Sequence, residues 1–303
     1  MRSLGSTLFS TIIAFGIAFA APNPVFAQSA DAMYKQGLAY KQQGKTDEAI
    51  GALEKAVAAN PQHGMAWSSL GNLYKAKQDI PKAVMAYERA TAVIKRDAVL
   101  WGNLGMAYYR NNQIDKAIEA LATAVKLAPK DAEYRANLGT VRRKKGDNAG
   151  AVADLEIAVK LKPDDGGYWN NLGVAYRNAK RDDDALKAFE KATTLSPNDS
   201  SFFFNLAVVY RRKEMVEKAI PAYERATSLD PGNAEGWFDL GFMYKLNHEN
   251  DKAIGAFQKY LDINKGKDPE AAKRIQDELD ALGAPQPKTP PKKPAKSKAP
   301  GKK

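Results

Sequence analysis

Asparagine stands at Asn103, Asn137, Asn171 and Asn205, 34 residues apart each time and directly before a Leu-Gly or Leu-Ala pair. A carboxamide carries both donor hydrogens and an acceptor oxygen. A row of carboxamides can therefore pair with the peptide units of an extended chain whatever its side chains are. A second row keeps the same beat: Lys41, Lys75, Arg143, Arg177, Arg211 and Lys245, with Tyr109 in the one remaining place. Such a row favours acidic or carboxylate-bearing ligands. Chemistry of a catalytic kind lacks its usual carriers. There is no Cys, which excludes a thiolate nucleophile, a thiolate metal site and a disulfide scaffold. The two histidines, His63 and His248, lie at a unit end and a turn, so neither a metal centre nor a triad is expected. Gly44-Lys45-Thr46 imitates the end of a phosphate-binding loop, but no strand precedes it and the spacing from Gly37 is too long. No catalytic residue, metal or cofactor is expected.

What positions the two rows is a repeat. From Ala30, seven consecutive 34-residue units fill 30–63, 64–97, 98–131, 132–165, 166–199, 200–233 and 234–267. Position 4 is large in six of them (Met33, Trp67, Trp101, Trp169, Phe203, Trp237), with Arg135 the exception. Positions 7 and 8 are mostly Leu-Gly, and position 11 is Tyr except at Arg142. Position 20 is always Ala, position 24 is always large, and position 27 is Ala except at Tyr260. Spacings of three and four mark one face of a helix. Each unit is thus two helices joined by a polar turn. Pro at position 32 in five units ends the second helix. Lys95 and Lys265 in its place suggest a locally different link.

This pattern resembles the tetratricopeptide repeat, W-x2-L-G-x2-Y followed by A-x3-F and P. The unit 166–199 carries every element of it in Trp169, Leu172, Gly173, Tyr176, Ala185, Phe189, Ala192 and Pro197. The resemblance implies an all-α, right-handed α-solenoid of seven helix-turn-helix units. Residues 268–282 place Ala271, Ala272, Ile275, Leu279 and Leu282 on one face and read as a C-terminal capping helix. It also implies that the first helices line a concave face. At 100° per residue, the asparagine position lies about 150° from the centre of the packing face. The asparagines would then line the groove, similar to the superhelical repeats of O-linked N-acetylglucosamine transferases, where such a row holds peptide main chain. Phe204, Phe238 and Phe242 fall on the same side and offer room for apolar side chains. The family's carboxylate clamp is not expected, because no unit has Lys at position 5.

The ends differ from the repeats. Residues 1–27 read as a signal peptide, with Arg2, an apolar run from Leu8 to Ala20, and Val25-Phe26-Ala27 before the cut. That run is short for a membrane span. A periplasmic or secreted protein with no transmembrane segment after cleavage is expected. Residues 284–303 hold seven Lys and no acid and read as a disordered Lys/Pro-rich tail. Most of the net charge of +11 lies there, so the repeats are close to balance. The expected function is an exported, non-enzymatic scaffold that binds extended peptide or partner-protein segments. The alternative is a binder of an anionic polymer (polysaccharide, cell wall or nucleic acid) through the basic row and tail.

Overall fold

The computed structural model describes residues 24–283. The signal segment up to residue 23 and the tail from 284 lie outside the described residues. The chain divides into two compact bodies, 1–127 and 128–303. The first holds α1 (Pro24–Gln42), α2 (Thr46–Ala59), α3 (Gly64–Ala76), α4 (Ile80–Val93), α5 (Ala98–Arg110) and α6 (Ile114–Leu127). The second holds α7 (Ala132–Lys145), α8 (Asn148–Leu161), α9 (Gly166–Asn178), α10 (Asp182–Leu195), α11 (Ser200–Arg212), α12 (Val216–Leu229), α13 (Ala234–Leu246), α14 (Asn250–Asn264) and α15 (Pro269–Ala281). Among the described residues there is no strand, and no helix is long and apolar enough to cross a membrane.

Each odd-numbered helix from α1 to α13 packs antiparallel to its successor as a hairpin. The reason lies at three positions. Every Ala at position 20 has no exposed surface, nor does any of the large residues at position 24 or the six alanines at position 27. The glycine at position 8 faces the large residue sixteen places later: Gly71 against Tyr87, Gly105 against Leu121, Gly139 against Leu155, Gly173 against Phe189. A methyl there would meet the facing side chain at 2.5–2.7 Å in each of those four pairs. Absence of a side chain on one helix makes room for a large one on the other.

The hairpin turns are equally regular. Position 15 takes the left-handed backbone in all seven repeats: Gly44, Gln78, Asn112, Gly146, Lys180, Glu214 and His248. Gly and Asn suit that conformation, and the other four residues adopt it at some cost. Aspartate or asparagine caps most of the helices that begin a repeat, as Asp97, Asp131, Asp165, Asp199 and Asn233 do. The tryptophans at position 4 are half-buried rather than central. Each donates its Nε1–H to the carbonyl six residues earlier: Trp67 to Pro61, Trp101 to Lys95, Trp169 to Pro163 and Trp237 to Pro231, at 2.9–3.0 Å. The link at Lys95 is therefore the same as at the prolines, contrary to the sequence expectation, because the tryptophan needs only a carbonyl. Lys265 does differ, since it ends α14 with a left-handed residue.

Candidate functional site

The asparagines and the cations are not two separate rows. Lys75 Nζ on α3 donates to Asn103 Oδ1 on α5 at 3.2 Å. In the second body, Arg177 on α9 donates to Asn205 Oδ1 on α11, also at 3.2 Å. The separation is 28 residues in both cases. A cation at position 12 thus reaches the position 6 side chain of the following repeat. Arg211 obeys the same register and pairs with Asp239 at 3.4 Å. Asn205 is saturated further by donating to Asn170 Oδ1 at 3.0 Å.

All four sequence-selected asparagines are half-buried on first helices. Asn103 lies in the first body, and Asn137, Asn171 and Asn205 lie in the second. Asn103 and Asn205 are engaged by neighbouring side chains. Asn137 and Asn171 have no hydrogen-bond partner among the described residues, so their carboxamides are open to a ligand. The cations divide likewise. Lys245 is paired with Glu278 of α15, and Lys41 is exposed. The Arg143 guanidinium makes no hydrogen bond or ion pair among the described residues, and its Nε is buried. Burial pushes the Arg177 guanidinium below its usual range, and the positive charges of Arg212 and Arg143 push it the same way.

The phenylalanines are differently placed from the sequence expectation. Phe238 and Phe242 pack against each other at 5.0 Å between ring centroids, and Arg274 of α15 stacks over both. Ile275 and Leu279 of the same helix are buried in that cluster. The capping helix occupies those rings. Phe204 packs edge-on against Tyr223.

Three structural sets escaped the sequence reading. Tyr at position 11 donates to Glu at position 25 of the preceding repeat, as Tyr74 to Glu54, Tyr108 to Glu88, Tyr176 to Glu156, Tyr210 to Glu190 and Tyr244 to Glu224. Burial, reinforced by the facing carboxylate, raises the phenols of Tyr176 and Tyr210 to about 12. Arg135 and Arg142, the two exceptions of the fourth repeat, both grip Asp154, which is 3% exposed. The third set is a groove of about 830 Å³ between α2 and α4, lined by Val57, Pro61, Trp67, Met85 and Arg89 among others. Among the described residues no group of His, Cys, Asp or Glu is arranged to hold a metal ion.

Residues 17–236 match the tetratricopeptide-repeat profile described as the Cilia and flagella-associated protein 70 C-terminal domain, and residues 222–255 match that of the tetratricopeptide repeat. The chain belongs to the tetratricopeptide repeat family. No curated protein matches it in sequence. Solved structures of tetratricopeptide repeat proteins share its fold. The crystal structure of MamA protein is 24% identical with a TM-score of 0.54, covering 56% of this chain and 93% of that one. That of YrrB, described as a TPR protein with an unusual peptide-binding site, is 22% identical with a TM-score of 0.54, covering 64% and 100%. A tetratricopeptide repeat protein from Parabacteroides merdae is 16% identical with a TM-score of 0.62, covering 82% and 99%.

Within this tetratricopeptide repeat protein, Asp239 takes the place that asparagine holds in four other repeats. Its carboxylate is buried, accepts the Tyr223 hydroxyl at 2.8 Å and faces Arg211. Burial raises its pKa above the ordinary range, against the pull of Arg211. The folded state then holds this proton more tightly than the unfolded state. Stability is lost as pH rises from the unfolded value, about 3.9, through the folded one. Asp239→Asn is neutral at every pH. The variant is expected to match the wild type in melting temperature at pH 3 and to exceed it at pH 7. An equal difference at the two pH values would show that Asp239 ionises as readily folded as unfolded.

Proposed function

We propose that this protein is an exported, non-enzymatic scaffold that holds extended peptide or partner-protein segments along its first-helix face. The observation that carries the reading is the pair of open carboxamides at Asn137 and Asn171, half-buried on consecutive first helices. Polar side chains in partly buried places pair within the fold, with water or with a ligand. Here two of them keep donors and acceptors free where the concave face of a solenoid binds ligands. An extended chain rises about 3.3 Å per residue, and neighbouring helices lie about 10 Å apart. One carboxamide would meet roughly every third peptide unit. YrrB, similar in fold, is described as peptide-binding. Export rests on the three-part leader.

The test expresses the full chain with its leader and measures binding of a random dodecapeptide pool by fluorescence anisotropy. Mass spectrometry of the purified protein reads whether cleavage falls after Ala27. Each lost hydrogen bond removes about 1 kcal/mol, so Asn137→Ala/Asn171→Ala is expected to weaken binding about thirtyfold, with unchanged circular dichroism. Equal binding by the variant, together with release of both by salt, would transfer the function to the basic surface and an anionic polymer.

A further inference from the structure

We propose that Arg143, Arg177 and Asn171 form a carboxylate-binding site on the peptide-holding face, so that the segment held there is acidic. The inference rests on the groove reading above and adds the ligand's charge to it.

Arg143 stands on α7, Arg177 and Asn171 stand on α9, and the two helices touch. Arg177 spends an N–H on Asn205. Arg143 and Asn171 occupy the corresponding places one repeat earlier, yet neither bonds the other or anything else among the described residues. The repeat therefore builds this donor pair twice, closing it once and leaving it open once. Arg143 and Arg212 both stand near enough to disfavour the charge on Arg177. Guanidiniums placed so as to disfavour the charge on half-buried Arg177 are a poor arrangement for stability alone. The neighbouring acids only partly balance them: Asp182 is bound by Arg212 at 3.0 Å, and Glu235 is the smallest of the charges acting on Arg177. A carboxylate entering between Arg143 and Arg177 would accept charge-assisted hydrogen bonds from a planar fork. It would take the NH2 group of Asn171 as a further donor. Arg211, although in the sequence-selected row, is spent on Asp239, and Arg212 is spent on Asp182, so neither belongs to this site.

The probes are dodecapeptides of Ala and Ser with none, two or four Glu, the same peptides with Gln, and free or amidated C-termini of each. Proteins are wild type, Arg143→Gln, Arg143→Lys and Asn137→Ala/Asn171→Ala, all in 0.15 M salt at pH 7 and checked by circular dichroism. Arg143 has no partner to lose, so its variants are expected to keep the fold. Wild type is expected to bind the Glu peptides about tenfold more tightly than the Gln peptides. Arg143→Gln should abolish that preference, and Arg143→Lys should keep part of it. A preference that survives C-terminal amidation assigns the carboxylate to side chains; one seen only with free C-termini means that the terminal carboxylate must be bound as well. Equal binding of Glu and Gln peptides, still lost in the double asparagine variant, overturns the carboxylate site and leaves the groove reading standing. Absence of peptide binding, or indifference to the asparagines, overturns both. Polygalacturonate binding more tightly than every peptide, in an Arg143-dependent way, overturns the peptide assignment in favour of a polymer.

Discussion

Asp154→Ala is expected to cost about 3 kcal/mol, the largest loss from any single charge among the described residues. The Asp154 side chain is 4% exposed and takes Arg135 on one oxygen at 3.0 Å and Arg142 on the other at 2.6 Å. Removing it leaves two guanidiniums facing each other with their shared anion gone. Because both arginines are about a quarter exposed, water relieves part of the penalty, which sets the estimate at the lower end for a broken buried pair. The three residues belong together. Position 23 is Ala in the six other repeats, position 4 is otherwise large and mostly aromatic, and position 11 is otherwise Tyr. Arg135→Trp/Arg142→Tyr/Asp154→Ala restores the pattern of the other repeats and replaces a buried ion triad by apolar packing. That triple variant is expected to equal or exceed the wild type by about 1–4 kcal/mol. Contacts in such an array are mostly between neighbours, so hydrogen exchange on α7 and α8 is the sharper readout, alongside urea unfolding of the full chain. An Asp154→Ala protein within about 0.5 kcal/mol of wild type would mean the arginines find water without it.

The same triad shows where reading the sequence stops. Period and residue size are local properties of a helix, and they sufficed for the hairpins and for the face that each helix packs. Arg135 and Arg142 were visible as exceptions, and Asp154 is an equally plain exception at position 23, but only packing brings the three to one point. The Tyr–Glu bonds had a similar signal. Glu stands at position 25 in each repeat that precedes a tyrosine-bearing one, and Ala122 stands before the repeat with Arg142. Angles around one helix cannot show a bond between side chains 28 residues apart. For that reason the asparagine and cation rows read as independent, whereas Lys75 and Arg177 reach across to Asn103 and Asn205. The phenylalanines were misplaced for a related reason: a face that looks open within one helix is covered by Arg274 and its neighbours from α15.

Glycine to alanine is expected to act with opposite sign at two helical glycines of the same body. At Gly255, in α14, an added methyl meets nothing within 4 Å. Alanine there gains helix propensity and removes unfolded-state freedom, so Gly255→Ala should stabilise by about 0.5–1 kcal/mol. At Gly173, in α9, the same methyl would stand 2.7–2.8 Å from three ring carbons of Phe189. That ring has no exposed surface, and a close-packed interior leaves it little room to turn. Overpacking of this kind costs about 1–3 kcal/mol, which outweighs the propensity gain. Gly173→Ala should therefore destabilise by about 1–2 kcal/mol net. The cost is bounded because the next repeat carries Ala207 opposite Tyr223, both fully buried, so a hairpin of this family can be spaced for a methyl. Urea midpoints of the two variants against wild type decide the matter. Stabilisation at both positions would mean that α9 and α10 adjust their separation freely, and that position 8 is glycine for some reason other than the ring it faces.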